Sequence, residues 1–144
     1  MVVPDRVAPR SARGWRALVL PTIVALPSVG GVGVVAAVDP NQPGHYPTCP
    51  FLALTGLYCP GCGALRAVHD LAHGDLAGAL ARNPLAVAAL AVLLVAFGFW
   101  TRRSWRGQPR SWDPPQWLLT ASLAVVLGFA VLRNVPGWTW LSPA

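Results

Sequence analysis

The segment CPFLALTGLYCPGCGALRAVHDLAHGDLAGALARNP, residues 49–84, is the part of the chain around which the rest is organised. It contains all three cysteines of the protein, in the spacing Cys-x9-Cys-x2-Cys, and two of its three histidines. Long apolar segments flank it on both sides. We therefore expect the flanking segments to hold the cysteine-bearing piece in place, and the composition indicates that this place is a membrane surface.

The composition is too poor in charge for a protein that is dissolved in water. Hydrophobic residues make up 54% of the 144 residues and charged residues only 11%, and the mean hydropathy is +0.49. Soluble domains carry about 25% charged residues. A surface with so little charge suits lipid as the solvent, so the sequence predicts an all-α integral membrane protein.

Three apolar runs are candidate transmembrane helices: residues 17–38, 84–100 and 117–135. The first would form a helix about 33 Å long, which is enough to cross a hydrocarbon core of about 30 Å. Prolines inside this run are tolerated in a membrane when neighbouring helices satisfy the freed carbonyls. An alternative is a signal peptide that is cleaved after Ala37. Both interpretations export the segment that follows.

The placement of arginine orients the chain. Every basic residue is an arginine, and the N-terminal tail (residues 1–16) and the loop at residues 101–116 carry four each, whereas residues 39–83 carry two. Because positive residues collect on the cytoplasmic side, we predict a cytoplasmic tail and loop, an extracytoplasmic segment 39–83 and an extracytoplasmic tail, residues 136–144. This clustering also accounts for the net charge of +6, so we expect no binding of nucleic acid.

Tryptophan placement supports these boundaries. Tryptophan side chains favour the interface between lipid and water, where their amphipathic rings find both environments. Five of the seven tryptophans lie at or near the ends of the proposed spans, and two lie in the loop between the second and third spans: Trp15, Trp100, Trp117, Trp138 and Trp140, then Trp105 and Trp112.

Residues 64–82 show the apolar spacing of a helix, interrupted at Gly74-Asp75. Glycine suits the left-handed residue that follows a helix, and aspartate suits the N-cap of the next one. Asn83-Pro84 also predicts a helix start, since asparagine caps a helix and proline takes its first position. We therefore predict two short amphipathic helices between the first and second spans, lying at the membrane surface.

The pentad Cys59-Pro60-Gly61-Cys62-Gly63 bends the backbone so that two sulfurs face one point, which is typical of metal knuckles and of thiol-redox loops. Zinc is the candidate cofactor, with Cys49 as a third ligand, and a closed tetrahedral site needs a fourth. His45 lies in a flexible loop near Cys49 and can approach it. His69 would lie about 10.5 Å beyond Cys62 along a continuous helix, which strains a shared site.

Oxidation is the competing explanation for the cysteines. Outside the cytoplasm paired cysteines form disulfides, either Cys59 with Cys62 or Cys49 with one of them. A helix N-terminus at Cys62 would favour a reactive thiolate, with Arg66 within reach of the same spot. Arg66 can equally pair with Asp70, four residues later on the helix. A structural clip, a metal site and a redox pair all stay open at this point.

Several enzyme classes find no support in the sequence. It has no serine–histidine–acid set, no phosphate-binding glycine loop and no charge in the apolar interior of a span that would mark an ion path. We favour a non-enzymatic membrane module whose outward cysteine turn is held by a disulfide or a metal. Its expected partners are membrane lipid and either a membrane protein or a second copy of the chain. The alternatives are a thiol–disulfide oxidoreductase that uses Cys59 and Cys62, and a metal-binding membrane protein.

Residues 49–90 resemble the family called domain of unknown function 2752. The matching residues are Cys49-Pro50-Phe51, Thr55-Gly56, Cys59-Pro60-Gly61-Cys62-Gly63, Arg66-Ala67, Gly74-Asp75 and Asn83-Pro84-Leu85. The family usually has threonine at the position of Leu65. The resemblance implies a small multi-pass protein of the bacterial plasma (inner) membrane, and it implies no particular activity.

Overall fold

The computed structural model describes residues 14–108 and 113–137, and within them the regular structure is entirely helical. This confirms the predicted all-α class. A 3-10 turn, Gly14–Leu18, leads into six α-helices: α1 (Val19–Ala37), α2 (Pro50–Thr55), α3 (Ala64–Ala72), α4 (Leu76–Arg82), α5 (Pro84–Arg106) and α6 (Gln116–Leu132).

Two helical segments, Trp15–Ala37 and Pro84–Arg106, are long and apolar enough to cross a membrane. Each has 23 residues, which corresponds to about 34 Å of helix. The third apolar helix, α6, has 17 residues. It falls short of that length, so the third predicted span stays a prediction.

The boundaries of the long helices differ from those predicted. Helix α5 continues past Trp100 to Arg106, because the polar residues at 101–106 are compatible with a helix once it has begun. It ends where Gly107 adopts a left-handed conformation, with φ 63°. The predicted loop at residues 101–116 is therefore helical in its first part. Helix α6 begins at Gln116, one residue earlier than predicted.

Between the long helices the structure has three short helices, where the sequence predicted two. The additional helix is α2, which has Cys49 as its N-cap residue and Pro50 in its first turn. Proline is preorganised for that position. Gly56 ends the helix in a left-handed conformation, with φ 71°. Six residues are too few for apolar periodicity to reveal a helix, which is why the pattern did not predict it.

The predicted helix ends in this region are confirmed. Gly74 is left-handed, with φ 80°. The carboxylate of Asp75 accepts a hydrogen bond from the Gly78 amide at 2.8 Å and caps α4. The side chain of Asn83 accepts one from the Ala86 amide at 2.9 Å and caps α5.

Helix α3 is the central element of the cysteine-bearing segment, since it packs against both α1 and α4. The contacts are close because the residues at them are small: Ala67 on α3 is 1% exposed and Ala79 on α4 is fully buried. On the α1 side, Nδ1 of His69 lies 2.8 Å from the carbonyl oxygen of Val35. The packing of α3 therefore fixes the cysteine turn that precedes it relative to α1.

Some predictions fall outside the described residues. They concern most of the N-terminal tail and of the C-terminal tail, the arginines Arg6, Arg10, Arg13 and Arg110, and the tryptophans Trp112, Trp138 and Trp140.

Candidate metal centre

The sulfurs of Cys49, Cys59 and Cys62 converge on one point. Sγ of Cys59 lies 3.6 Å from Sγ of Cys49 and 3.2 Å from Sγ of Cys62, and all three sulfurs lie within 4.8 Å of one another. The sequence placed Cys59 and Cys62 together through their turn. Cys49, the candidate third ligand, lies ten residues before Cys59, and the fold brings it to the same point.

Local backbone structure positions each sulfur. Cys49 caps α2, so its side chain lies at the amide end of that helix. The Cys62 amide donates to the Cys59 carbonyl at 3.1 Å and closes the turn between these two residues. Gly63 follows with a φ of 79°, a conformation that L-residues with a side chain rarely adopt, and leads directly into α3. The segment Tyr58–Gly63 is called the knuckle below.

The distances between the sulfurs resemble those of shared metal ligands more than the bond length of a disulfide. A disulfide has an S–S length of about 2.05 Å, and all three cysteines are free thiols in the structure. Two thiolates on one tetrahedral zinc ion, each with a Zn–S bond of about 2.3 Å, lie about 3.8 Å apart. The observed 3.2 and 3.6 Å are closer to the zinc spacing. The disulfide that the sequence left open is not formed.

Neither predicted histidine joins the sulfurs. Nδ1 of His45 lies 3.0 Å from the carbonyl oxygen of Asp39. His69 makes the contact with Val35 described above, and its Nε2 lies 3.7 Å from the Asp39 carboxylate. Within residues 14–108 and 113–137, the three cysteines are the only histidine, cysteine or acidic side chains that form such a cluster.

Arg66 and Asp70 both lie on α3, and Arg66 lines the cavity that adjoins the sulfurs. Oδ2 of Asp70 lies 3.7 Å from Nε of Arg82 on α4, so Asp70 joins α3 to α4. The predicted pairing of Arg66 with Asp70 stays a prediction.

Two buried polar side chains, those of Asn83 and Arg133, donate hydrogen bonds to the carbonyl groups of the knuckle. Nδ2 of Asn83, a fully buried residue, donates to the carbonyls of Pro60 and Cys62 at 2.9 and 3.0 Å. Nη1 of Arg133 contacts the carbonyls of Cys59 and Cys62 at 3.1 Å and that of Pro60 at 3.4 Å. The carbonyls of Cys59, Pro60 and Cys62 therefore each have a buried side-chain donor, and the loss of such a donor would cost stability.

The neighbouring residue extends this clamp. The side-chain amide of Asn134 accepts a hydrogen bond from the Tyr58 amide and donates one to the Tyr58 carbonyl, both at 2.8 Å. Arg133 and Asn134 immediately follow α6. The end of the last helix is therefore bound to the turn that carries two of the three sulfurs.

The three thiols differ in acidity. The pKa of Cys49 lies below its ordinary value, chiefly because the backbone amide of Leu52, in the first turn of α2, favours its thiolate. Burial, followed by the neighbouring Cys59 thiol, raises the pKa of Cys62 to about 12. The expectation of a helix-stabilised thiolate at Cys62 was wrong, because α3 begins only at Ala64. The helix end that favours a thiolate is that of α2, at Cys49.

A cavity of about 540 Å³ adjoins the sulfurs. All three cysteines line it, together with the loop at residues 40–48 and with Tyr58 and Arg66. The sulfur cluster is thus accessible from the cavity, and neither Asn83 nor Arg133 is among the residues that line it. A ligand in this cavity can reach a metal ion that the sulfurs hold.

Sequence reasoning missed Arg133 and Asn134 as residues of the site, and it treated Asn83 only as a helix cap. A signal for Arg133 was present, since it is the single arginine at the predicted extracytoplasmic end of the third apolar run. The positive-inside rule gives an arginine no reason to be there. A specific interaction of Arg133 was the remaining explanation, and in the structure Arg133 contacts the carbonyls of the knuckle.

Comparison with known proteins agrees with the cysteine segment as the defining part of the chain. The sequence model of the family described as "Protein of unknown function (DUF2752)" matches residues 49–97. The comparison with curated proteins and the comparison with solved structures each gave no match. The matched residues begin at Cys49 and include the knuckle, α3, α4 and the first part of α5. The predicted resemblance is therefore confirmed over residues 49–97, about a third of the chain.

Proposed function

We propose that this chain is an integral membrane protein that binds one thiophilic metal ion, zinc in the first instance, through Cys49, Cys59 and Cys62. The observation that carries the proposal is the convergence of the three sulfurs at 3.2 and 3.6 Å from one another. Free thiols attract one another only as weak hydrogen-bond donors and acceptors, whereas three thiolates around one soft cation are a common protein ligand set.

The ligand set leaves room for an external donor. Zinc in a closed structural site has four protein ligands, whereas exchangeable and catalytic sites have three and keep one position for water or another molecule. Among the described residues no histidine or carboxylate completes the three sulfurs, and the cavity of about 540 Å³ lies beside them. These features support a metal-handling role, in which the ion is acquired from and released to a ligand in the cavity.

The exposed apolar surface of α5 supports the membrane assignment. Large apolar side chains of α5 are exposed along its length, among them Val92 (68%), Leu93 (65%) and Phe99 (61%). Water would be an unfavourable solvent for such a surface, since each Å² of exposed apolar area costs about 25 cal/mol. With α6 as the third span, the cysteine segment lies outside the cytoplasm and the N-terminus inside, in the bacterial plasma membrane.

Metal binding is tested on the full chain purified in detergent without chelators. Elemental analysis should find about one zinc ion per chain, and Co²⁺ should give the intense sulfur-to-metal absorption of a thiolate site. Replacing Cys49, Cys59 or Cys62 singly with serine should abolish that absorption. His45→Ala is the matched control and should retain it, because the His45 ring contacts a backbone carbonyl. A wild-type protein that binds neither ion would refute the proposal.

A thiol–disulfide oxidoreductase is the second candidate, and the 3.2 Å separation of the Cys59 and Cys62 sulfurs favours it. The pair could close to a disulfide with a small rotation of either side chain. Intact mass of protein taken directly from cells separates the candidates, since a disulfide removes two hydrogens and reacts with reductant, whereas a bound metal leaves all three thiols reduced. An oxidised pair with redox cycling that Cys59→Ser abolishes would support this alternative.

Topology is tested with reporters fused to the chain. A reporter placed just after Asn83 should be active outside the cytoplasm, and one placed after Gly107 should be active inside. A reporter at Asn83 that faces the cytoplasm would contradict the proposed orientation. It would leave the metal site itself intact, because the three sulfurs are brought together by the fold rather than by the compartment.

A further inference from the structure

Arg133 is a buried cation without a carboxylate partner in the described part of the chain. It is 2% exposed. Its Nη1 group is directed to backbone carbonyls of the knuckle, while Nε and Nη2 are buried and form no hydrogen bond. The remaining neighbours are the rings of Phe129 and Tyr58, whose centroids lie 5.0 and 5.9 Å from the guanidinium carbon. Rings and carbonyls offer partial charges, and none of them neutralises a full positive charge.

A buried charge of this kind is costly unless an opposite charge lies close to it. Among the described residues, three groups near the guanidinium can become negative: the thiols of Cys59 and Cys62, whose backbone carbonyls Nη1 contacts, and the Tyr58 phenol. Of these, the thiols are the groups that lose their protons when a metal ion binds to them. The thiols of these two residues are also the groups that attract the Arg133 charge most strongly. The location of Arg133 is therefore explained if the sulfurs carry negative charge when the site is in use.

We propose that Arg133 is the built-in counter-ion of the cysteine site, matched to a divalent thiophilic ion held by three thiolates. This inference rests on the proposed function and deepens it by naming the charge of the ion. Three thiolates and a divalent ion have a net charge of −1, which the guanidinium neutralises. A monovalent ion in the same set would leave a net charge of −1 at the site after the guanidinium is counted. The pairing with Zn²⁺ is thus electrically neutral.

This role differs from that of a structural clamp. The carbonyls of Pro60 and Cys62 also accept hydrogen bonds from Asn83, so they keep a donor if the guanidinium is removed. Methionine can occupy the space between Phe129 and Tyr58 without unpaired N–H groups. Replacing a buried ionic side chain with a well-packed apolar one is often neutral or stabilising. Removal of the charge is therefore expected to weaken the metal complex and to leave the metal-free fold largely intact.

The experiment compares Arg133→Met, Arg133→Lys and the wild type, all as full chains in detergent. Zn²⁺ affinity is measured by competition with a chelator, and thermal stability is measured on the metal-free proteins. A unit charge about 6–12 Å from the charged site, at an effective dielectric constant of about 20, changes metal affinity roughly 10- to 100-fold. We expect a loss of that size in Arg133→Met with a nearly unchanged metal-free melting temperature, and at most a few-fold loss in Arg133→Lys, which retains the charge.

Two results would overturn the inference: wild-type affinity in Arg133→Met, or equal weakening in the Met and Lys variants, which is the behaviour of a hydrogen-bonding clamp. If Arg133→Met does not fold, Arg133→Gln supplies the neutral variant for the same comparison with Arg133→Lys. A wild type that binds no Zn²⁺ or Co²⁺ is a separate result, because it refutes the proposed function before the counter-ion comparison can be made.

Discussion

Asn134 makes both backbone hydrogen bonds of Tyr58, although 76 residues separate the two in the sequence. Its side-chain amide is paired with the peptide group of Tyr58 in the way that a neighbouring strand would be, and it also donates to the Ala130 carbonyl of its own helix. The end of α6 and the start of the knuckle are thereby joined. Formation of the site depends on α6, which lies outside the residues that match the family.

Replacing Asn134 with alanine is expected to destabilise this junction. The variant leaves the amide and carbonyl of Tyr58 without their partners, which costs about 1–3 kcal/mol in free energy of unfolding. Thermal unfolding in detergent, followed by circular dichroism, measures the loss. Asn41→Ala is the control, because Asn41 is exposed and bonds to Asp39 within its own loop. Equal melting temperatures for the two variants would contradict the role of Asn134.

Asn83 caps α5 and also donates hydrogen bonds to the knuckle, and a serine substitution separates these two roles. Serine is an efficient N-cap, so Asn83→Ser should preserve the start of α5. Its shorter side chain cannot reach the Pro60 and Cys62 carbonyls that Asn83 contacts. We expect the helix content to be retained and the Zn²⁺ affinity to fall by about tenfold or more, since the knuckle loses two hydrogen bonds of about 1 kcal/mol each.

The control for Asn83→Ser is Asp75→Ser, which changes the cap of α4 and touches no atom of the knuckle. It should leave the Zn²⁺ affinity unchanged. A weaker complex in both variants would mean that the affinity follows general stability rather than the support of the knuckle by Asn83.

The metal-free protein should be alkylated in a fixed order. Cys49 reacts first, because its lowered pKa gives it the larger thiolate fraction, and Cys62 reacts last, because it is buried and its pKa is raised to about 12. Brief treatment with iodoacetamide at neutral pH, followed by peptide mass spectrometry, establishes the order. In the denatured chain the three should react at similar rates. Prior modification of Cys62 in the folded protein would show that the turn is more open than described.

Zinc binding should strengthen as the pH rises. Each ligand thiol must lose its proton before it can coordinate, so protons compete with the metal. With a pKa of about 12, Cys62 is protonated in the metal-free protein throughout the neutral range and always contributes a displaced proton. The apparent dissociation constant should therefore fall by up to about tenfold per pH unit for each displaced proton. Chelator competition between about pH 6 and about pH 8 measures this slope, and a flat profile would exclude thiolate ligation.

Gly78 should not tolerate a side chain. A Cβ atom there would overlap the carboxylate of Asp75, which caps the same helix, and would crowd Oδ2 of Asp70 at 3.2 Å. If Asp75 moves away, the helix loses its cap, which costs about 0.5–2 kcal/mol of stability. Gly78→Ala should therefore lower the melting temperature. Gly98→Ala is the matched control in α5, where a Cβ meets nothing within 4 Å, and it should be neutral or slightly stabilising.

Sequence reasoning was most successful where the cause is local. The left-handed Gly74 and the caps at Asp75 and Asn83 depend on residues within one helical turn, and all three are as predicted. It was less successful at helix ends that composition does not mark. Helix α5 runs past its apolar part to Arg106, and α2 is too short to show a period.

The sequence by itself determined the all-helical class, the apolar segments and the turn between Cys59 and Cys62, because each follows from hydropathy and backbone preferences over short distances. Only the tertiary structure decided that Cys49 joins that pair, that His45 and His69 do not, and that Arg133 and Asn134 support the knuckle. These relationships join residues that are far apart along the chain. They depend on how the helices pack, and the spacing of residues in a sequence does not specify that packing.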